Sequence, residues 1–175
     1  MAPDVRRLGP EDAEVFRHLR LEGLRHHPEA FAESYDAEAK KPPHAWPELL
    51  ERAAVFGAWR EGRLVATATC FTGADFGLPT HMRHLAFLAG VYVTAKARGY
   101  GYAIAVCRAV IEHARGLPQI DVLKTAANVE NRPALTLYEN LGFEAWGRHP
   151  RALKIDGHWH DEIEMAMLFE RGRAG

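Results

Sequence analysis

Cysteine is scarce in this chain. Two of them, Cys70 and Cys107, in 175 residues cannot build a disulfide framework. Each lies in an apolar stretch and reads as a small core residue in a reducing compartment. Long hydrophobic runs are missing too, since no window reaches the roughly 18 uninterrupted apolar residues that a membrane span takes. Met1 to Arg7 carries charges with no apolar run behind them, unlike a secretory signal. A cytoplasmic protein without a membrane partner is expected. Charge excess is the third absence: 22 Lys and Arg stand against 23 Asp and Glu, a formal net charge of −1. A dedicated nucleic-acid binder carries a surplus of cations, so nucleic acid is not an expected partner. With no repeat and no low-complexity tract, residues 1–170 read as one domain and 171–175 as a frayed tail.

What is present is a chain of ordinary globular composition, 47% hydrophobic and 26% charged. Residues 5–8 suit a short edge strand, and Pro10-Glu11-Asp12 then opens a helix with a proline and acids in its first turn. Val15, Phe16 and Leu19 supply its apolar stripe, widened by Leu21 and Leu24, and His26-His27-Pro28 ends it. Residues 28–47, with Pro42, Pro43 and Pro47, read as irregular, followed by a short helix over 47–52. Residues 55–60 and 64–71 read as a hairpin about Glu61-Gly62, and 83–94 as a third strand whose interior Gly90 marks a bulge. Helices over 101–115 and 131–140 bracket a strand over 120–126, and strands over 144–148 and 159–169 close the chain, the last preceded by an Asp156-Gly157 turn. The order predicts an α/β (α+β) fold: a mixed, mostly antiparallel twisted sheet with a central parallel step, flanked by helices.

Chemistry concentrates in two segments. In Val91-Tyr92-Val93-Thr94-Ala95-Lys96-Ala97-Arg98-Gly99-Tyr100-Gly101-Tyr102-Ala103, a buried strand runs into a two-glycine turn and a helix starts at once. Backbone N–H groups at such a helix start, uncovered by side chains, suit a phosphate or pyrophosphate. No Gly-Lys-Ser/Thr follows and a third glycine is lacking, so neither the Walker loop nor the dinucleotide fingerprint is present. In the second segment Asn131 is a helix N-cap with Pro133 in the first turn, and Ala134, Tyr138 and Leu141 share one face.

Together these segments resemble the GNAT superfamily of acyl-CoA-dependent N-acetyltransferases. The family's phosphate loop, Arg/Gln-x-x-Gly-x-Gly/Ala, is met by Arg98-Gly99-Tyr100-Gly101-Tyr102-Ala103, and its second motif by Asn131, Ala134, Tyr138 and Leu141-Gly142-Phe143. The resemblance extends to Val5-Arg6-Arg7-Leu8 with Glu11-Asp12-Ala13 and to the closing hairpin with Asp161, Glu162 and Met165. Ala95 stands where members often carry proline, and Tyr100 where they carry a basic or small residue. Neither departure removes a backbone donor.

The resemblance implies acetyl-CoA as acyl donor, with no metal. Val91 and Val93 would hydrogen-bond its pantetheine arm through their backbones. Gly99, Gly101, Tyr102 and Ala103 would hold the pyrophosphate, with Arg98 assisting, and Asn131 would bond the arm. Tyr138 would protonate the departing thiolate. A neutral amine would attack the thioester directly, a Val91-region N–H would stabilise the oxyanion, and His84, Tyr92 and Asp161 are the candidate bases. The implied acceptor is a small amine or amino acid. A protein N-terminus or lysine is the alternative, and a non-catalytic acyl-CoA sensor is a reading of another class. A monomer or homodimer is expected.

Ten histidines invite a metal reading. His158, His160 and Asp161 cluster on the last strand, but no further ligand that would complete a site is identifiable. His26-His27 reads as a helix end meeting its negative dipole, and Trp46 and Trp159 as packing residues or walls of the acceptor pocket.

Overall fold

The computed structural model describes residues 3–170. The tail expected at 171–175 lies outside the described residues. Seven strands form one sheet in the order β1-β2-β3-β4-β5-β7-β6. They are β1 Asp4–Arg7, β2 Ala54–Arg60, β3 Arg63–Thr72, β4 Leu85–Val93, β5 Val122–Asn128, β6 Glu144–Ile155 and β7 His158–Leu168. Every neighbouring pair is antiparallel except β4 and β5. That exception is the central parallel step, and the helix α4 Tyr102–Gly116 is its crossover.

The two sheet faces are covered by different helices. On one side lie α4 and α5 Arg132–Asn140, over a core containing Val106, Cys107, Val110, Leu123, Tyr138 and Met165. On the other lie α1 Ala13–His26, α2 Tyr35–Ala39 and α3 Ala45–Arg52. Phe16, Trp46, Leu50 and Val55 form one apolar cluster on that side, and Leu19, Leu24, Phe31 and Tyr92 another. Both cysteines are buried and unpaired, and desolvation pushes each thiol up to about 12, which keeps them inert.

Several local expectations need correction. Residues 35–39, read as irregular, form α2, whose N-cap Ser34 accepts from the Ala37 N–H at 3.2 Å. Val15 is 41% exposed, outside the buried stripe of α1. β6 does not stop at residue 148 but continues through Pro150 to Ile155. It is the outermost strand, where a missing N–H costs no ladder bond. Trp46 packs at 2% exposure, whereas Trp159 lies on the surface at 52%, beneath Arg151 and Lys154.

The bulge at Gly90 decides how β4 presents its far half. Thr67 pairs with Tyr92 and Thr69 with Ala89, so Ala68 of β3 stands opposite two residues of β4, Gly90 and Val91. Gly90 takes φ +62, a left-handed conformation that glycine adopts without penalty. The extra residue inverts the in-out alternation. Leu88 packs on the α4 side, Val91 and Val93 do so again, and Tyr92 turns to α1.

Candidate active site

β4 and β5 pair over three positions only: Leu85 with Val122, Ala86 with Leu123 and Phe87 with Lys124. Both strands then continue, to Val93 and Asn128, without further pairing. Where the ladder ends, Thr125 Oγ1 donates to Leu88 O at 3.0 Å. Beyond that point the edge of β4 faces a gap. The Thr94 N–H donates to Val65 O on the β3 side at 2.9 Å, so strand alternation turns the N–H groups of Val93 and Val91 toward the gap.

At the end of β4 the chain makes a single tight turn at residues 95–97 and enters the glycine loop. Gly99 and Gly101 have φ +82 and +80, and a Cβ on either would meet nothing within 4 Å. Gly101 caps α4 in the left-handed conformation, and its carbonyl receives the first helical bond, from the Ala105 N–H at 3.0 Å. The N–H groups of Tyr102 and Ala103 therefore have no acceptor within the helix. With the positive end of the helix dipole behind them, they form an open cradle for an anion. Tyr100, 63% exposed, points its ring at the Arg60 guanidinium, 4.7 Å away. Arg98 is not free at the loop: its Nε donates to Val93 O at 3.2 Å and its guanidinium lies 2.8 Å from His27 Nε2.

A cavity of roughly 550 Å³ occupies the gap and is lined from both faces of the sheet. From the α5 side come Asn131, Leu137 and Tyr138, and from the α1 side Phe31, Glu162 and Glu164. Asn131 Oδ1 caps α5 by accepting from the Ala134 N–H at 3.2 Å, which fixes its side chain at the wall. Tyr138 is 6% exposed. Burial pushes its phenol well above the usual tyrosine range, the nearby Cys107 and Glu162 act in the same direction, and hydrogen bonding with Thr125 opposes them.

None of the three candidate bases reaches this cavity's wall. His84 is exposed at the closed end of β4, where its carbonyl accepts from Asp121 and Val122. The Tyr92 hydroxyl donates to Glu22 Oε1 at 2.9 Å on the α1 side, and burial raises its phenol to about 12. Asp161 accepts from the Arg151 N–H and the Arg148 guanidinium at 2.8 and 2.6 Å, which holds its carboxyl below the usual range. Glu162, the next residue, is not among the candidate bases, yet it lines the cavity. It pairs in register with Asn128 on β5, beside the gap. Desolvation raises its carboxyl above the ordinary value, His149 opposes this and Glu164 adds to it. The signal for it was the strand alternation at Asp161-Glu162, which sends the two carboxylates to opposite faces.

Residues 19–143 match the Acetyltransferase (GNAT) family. The chain belongs to that family. Its acyltransferase fold is shared across the full length with yncA from Salmonella typhimurium, solved with its cofactor acetyl-CoA (TM-score 0.83, 17% identity, 100% of this chain and 98% of that one). A GNAT-superfamily phosphinothricin acetyltransferase from Sinorhizobium meliloti, in complex with AcCoA, superimposes with TM-score 0.83 at 20% identity, over 100% of this chain and 92% of that one. A ribosomal-protein-alanine N-acetyltransferase from Brucella melitensis gives 0.78 at 23% identity, over 95% and 99%. No curated protein matches the chain in sequence. Among the described residues of this GNAT acetyltransferase, no group of three or more His, Cys, Asp or Glu side chains could hold a metal ion. Nor is any of their helices long and apolar enough to cross a membrane.

Proposed function

We propose that the chain transfers the acetyl group of acetyl-CoA to a primary amine by direct attack in a ternary complex. The observation that carries this reading is the alignment of two openings. The gap between β4 and β5 leads along Val91 and Val93 to the glycine-capped start of α4. An extended arm fits the first and a pyrophosphate the second, and a Cβ at Gly99 or Gly101 would occupy the space that the cradle leaves open. The two solved relatives with acetyl-CoA support the same donor.

When bound, acetyl-CoA supplies an acetyl group activated as a thioester. The chain does the rest. N–H groups of Gly99, Gly101, Tyr102 and Ala103 hold the pyrophosphate, and Val91, Val93 and Asn131 align the arm. Glu162, on the α1 face, receives the acceptor's ammonium and takes one proton from it, leaving a neutral nitrogen. Its raised pKa brings the carboxylate closer to the amine in basicity, which eases that transfer. As the nitrogen forms its bond to the carbonyl carbon, the Val91 N–H donates to the oxygen that gains charge. The carbon–sulfur bond then breaks as Tyr138 gives its phenolic proton to the sulfur from the α5 face. The nitrogen's second proton passes to the phenolate, which restores Tyr138, and Glu162 releases the first proton to solvent as the products leave. Burial keeps that phenol protonated at any working pH. An acid on one face and a base on the other is an arrangement that a sensor domain has no use for, which favours an enzyme.

Thiol release from acetyl-CoA in the presence of amines tests the reading, together with calorimetric binding of acetyl-CoA. No binding and no release would sink it.

A further inference from the structure

We infer that the acceptor is a primary amine carrying an aromatic or other apolar body and no carboxylate beside the nitrogen. This rests on the acetyl-transfer reading above and names its substrate class. The α1 face of the cavity has an aromatic wall that the sheet alone does not account for. Phe71 on β3 and Phe87 on β4 are cross-strand partners. Phe76, from the loop between those strands, sits against both, with ring centroids 5.1 and 5.2 Å away.

Phe76 is 52% exposed and lines the cavity. Its loop is firmly built. Asp75 Oδ2 accepts from the Thr72 N–H at 2.6 Å and from the Thr72 hydroxyl at 2.9 Å, while the Leu78 N–H donates to Gly73 O at 2.8 Å. A rigid turn thus presents a large ring to the same cavity that Glu162 lines, and an aromatic ligand ring is what completes such a cluster.

The charges of the cavity point the same way. Arg20 is bound to Glu33 at 2.7 Å, Lys41 to Glu38 at 2.5 Å, and Lys124 lies 3.9 Å from Glu164. An incoming carboxylate would have to displace one of these acids. Arg52 is the lining cation without such a partner among the described residues, and it stands exposed at the end of α3. Glu162, half-buried, has no cation within ion-pair distance among the described residues. The cavity therefore offers one acid without an ion-pair partner and one aromatic wall, with three of its four lining cations already matched.

The test compares 2-phenylethylamine, phenylalanine and a tetrapeptide with a free amino terminus as acceptors, with acetyl-CoA binding measured separately by calorimetry. The expected kcat/KM for 2-phenylethylamine exceeds that of the other two by about tenfold or more. Phe76→Ala should raise the KM for this amine about tenfold, Phe76→Trp should restore it, and acetyl-CoA affinity should stay at the wild-type value. Equal or better turnover of phenylalanine or the peptide overturns the proposal and points to Arg52 as the acceptor's anchor. Acetyl-CoA binding with no turnover of 2-phenylethylamine overturns the substrate class alone. Failure of acetyl-CoA to bind overturns the transfer reading beneath it.

Discussion

Thr125 and Leu88 join β4 and β5 where the backbones part, a side-chain hydroxyl taking the place of the next ladder bond at 3.0 Å. Thr125 is buried, so its loss cannot be repaired by bulk water. Thr125→Val should cost about 1–3 kcal/mol, the desolvation penalty of a buried carbonyl left without its donor. Urea denaturation reads that loss directly. A KM for acetyl-CoA that rises in the same variant would show that the hydroxyl also sets the width of the gap.

Gly101→Val should weaken acetyl-CoA binding far more than it weakens the fold. A Cβ there meets no protein atom, and the cost to stability is that of a β-branched residue held at φ +80, of order 1–3 kcal/mol. The methyl groups would stand where the pyrophosphate approaches the Tyr102 and Ala103 amides. Calorimetry and a melting curve on the same preparation separate the two effects. Near-native affinity would make the loop a structural turn only.

Tyr138→Phe should lower kcat by up to ~10²–10⁴-fold while leaving acetyl-CoA affinity almost unchanged. The ring, which packs edge-on against Phe143 at 5.8 Å, is retained. An unperturbed phenol would give an alkaline limb near pH 10, but burial moves this one higher. The pH profile from 7 to 10 should therefore have the same shape in wild type and variant, displaced downward. Equal kcat values would reassign Tyr138 to packing.

Glu162→Gln should remove the acidic limb of the rate profile. In the wild type activity falls as the carboxylate takes a proton, and the raised pKa places that fall above the ordinary glutamate value of 4.5. Stability has the opposite sign. Because the folded state binds this proton more tightly than the unfolded one, stability declines as pH rises from 4.5 through the raised pKa. The glutamine variant, with nothing to ionise, should lose that decline and gain stability at neutral pH. Denaturation midpoints between pH 4 and 8 check it.

Much of this arrangement is legible in the sequence, because local rules write it there. Gly99 and Gly101 announce a left-handed turn, Asn131 and Pro133 a helix start, and Gly90 an interruption of strand alternation. The rest depends on contacts distant in sequence. Nothing around Glu162 says that the β5–β7 register sets it beside the gap, or that Arg148 already engages its neighbour Asp161. The three prolines at 42, 43 and 47 obscured α2, although Ser34 three residues before Ala37 is a cap that can be read. Arg98 matches the loop motif by position, yet the turn directs its guanidinium to Val93 and His27.

The bulge at Gly90 also governs which changes of length this strand can survive. Removing that one residue would make the β3–β4 pairing one to one. Ala68 would then oppose Val91, with Thr67 still opposite Tyr92 and Ala66 opposite Val93. The Tyr92 ring would stay on the α1 side with Glu22 and the two valines on the α4 side, but the strand would lose its kink beside the gap. Losing one of residues 91–93 instead would turn over the strand positions around it and draw the glycine loop back by about 3.3 Å, the rise of one strand residue, out of line with the cavity. In homologous chains, insertions and deletions should thus collect in the loop before β4 and in the turn before β7. The stretch from Val91 to Gly101 should keep its length even where its side chains vary.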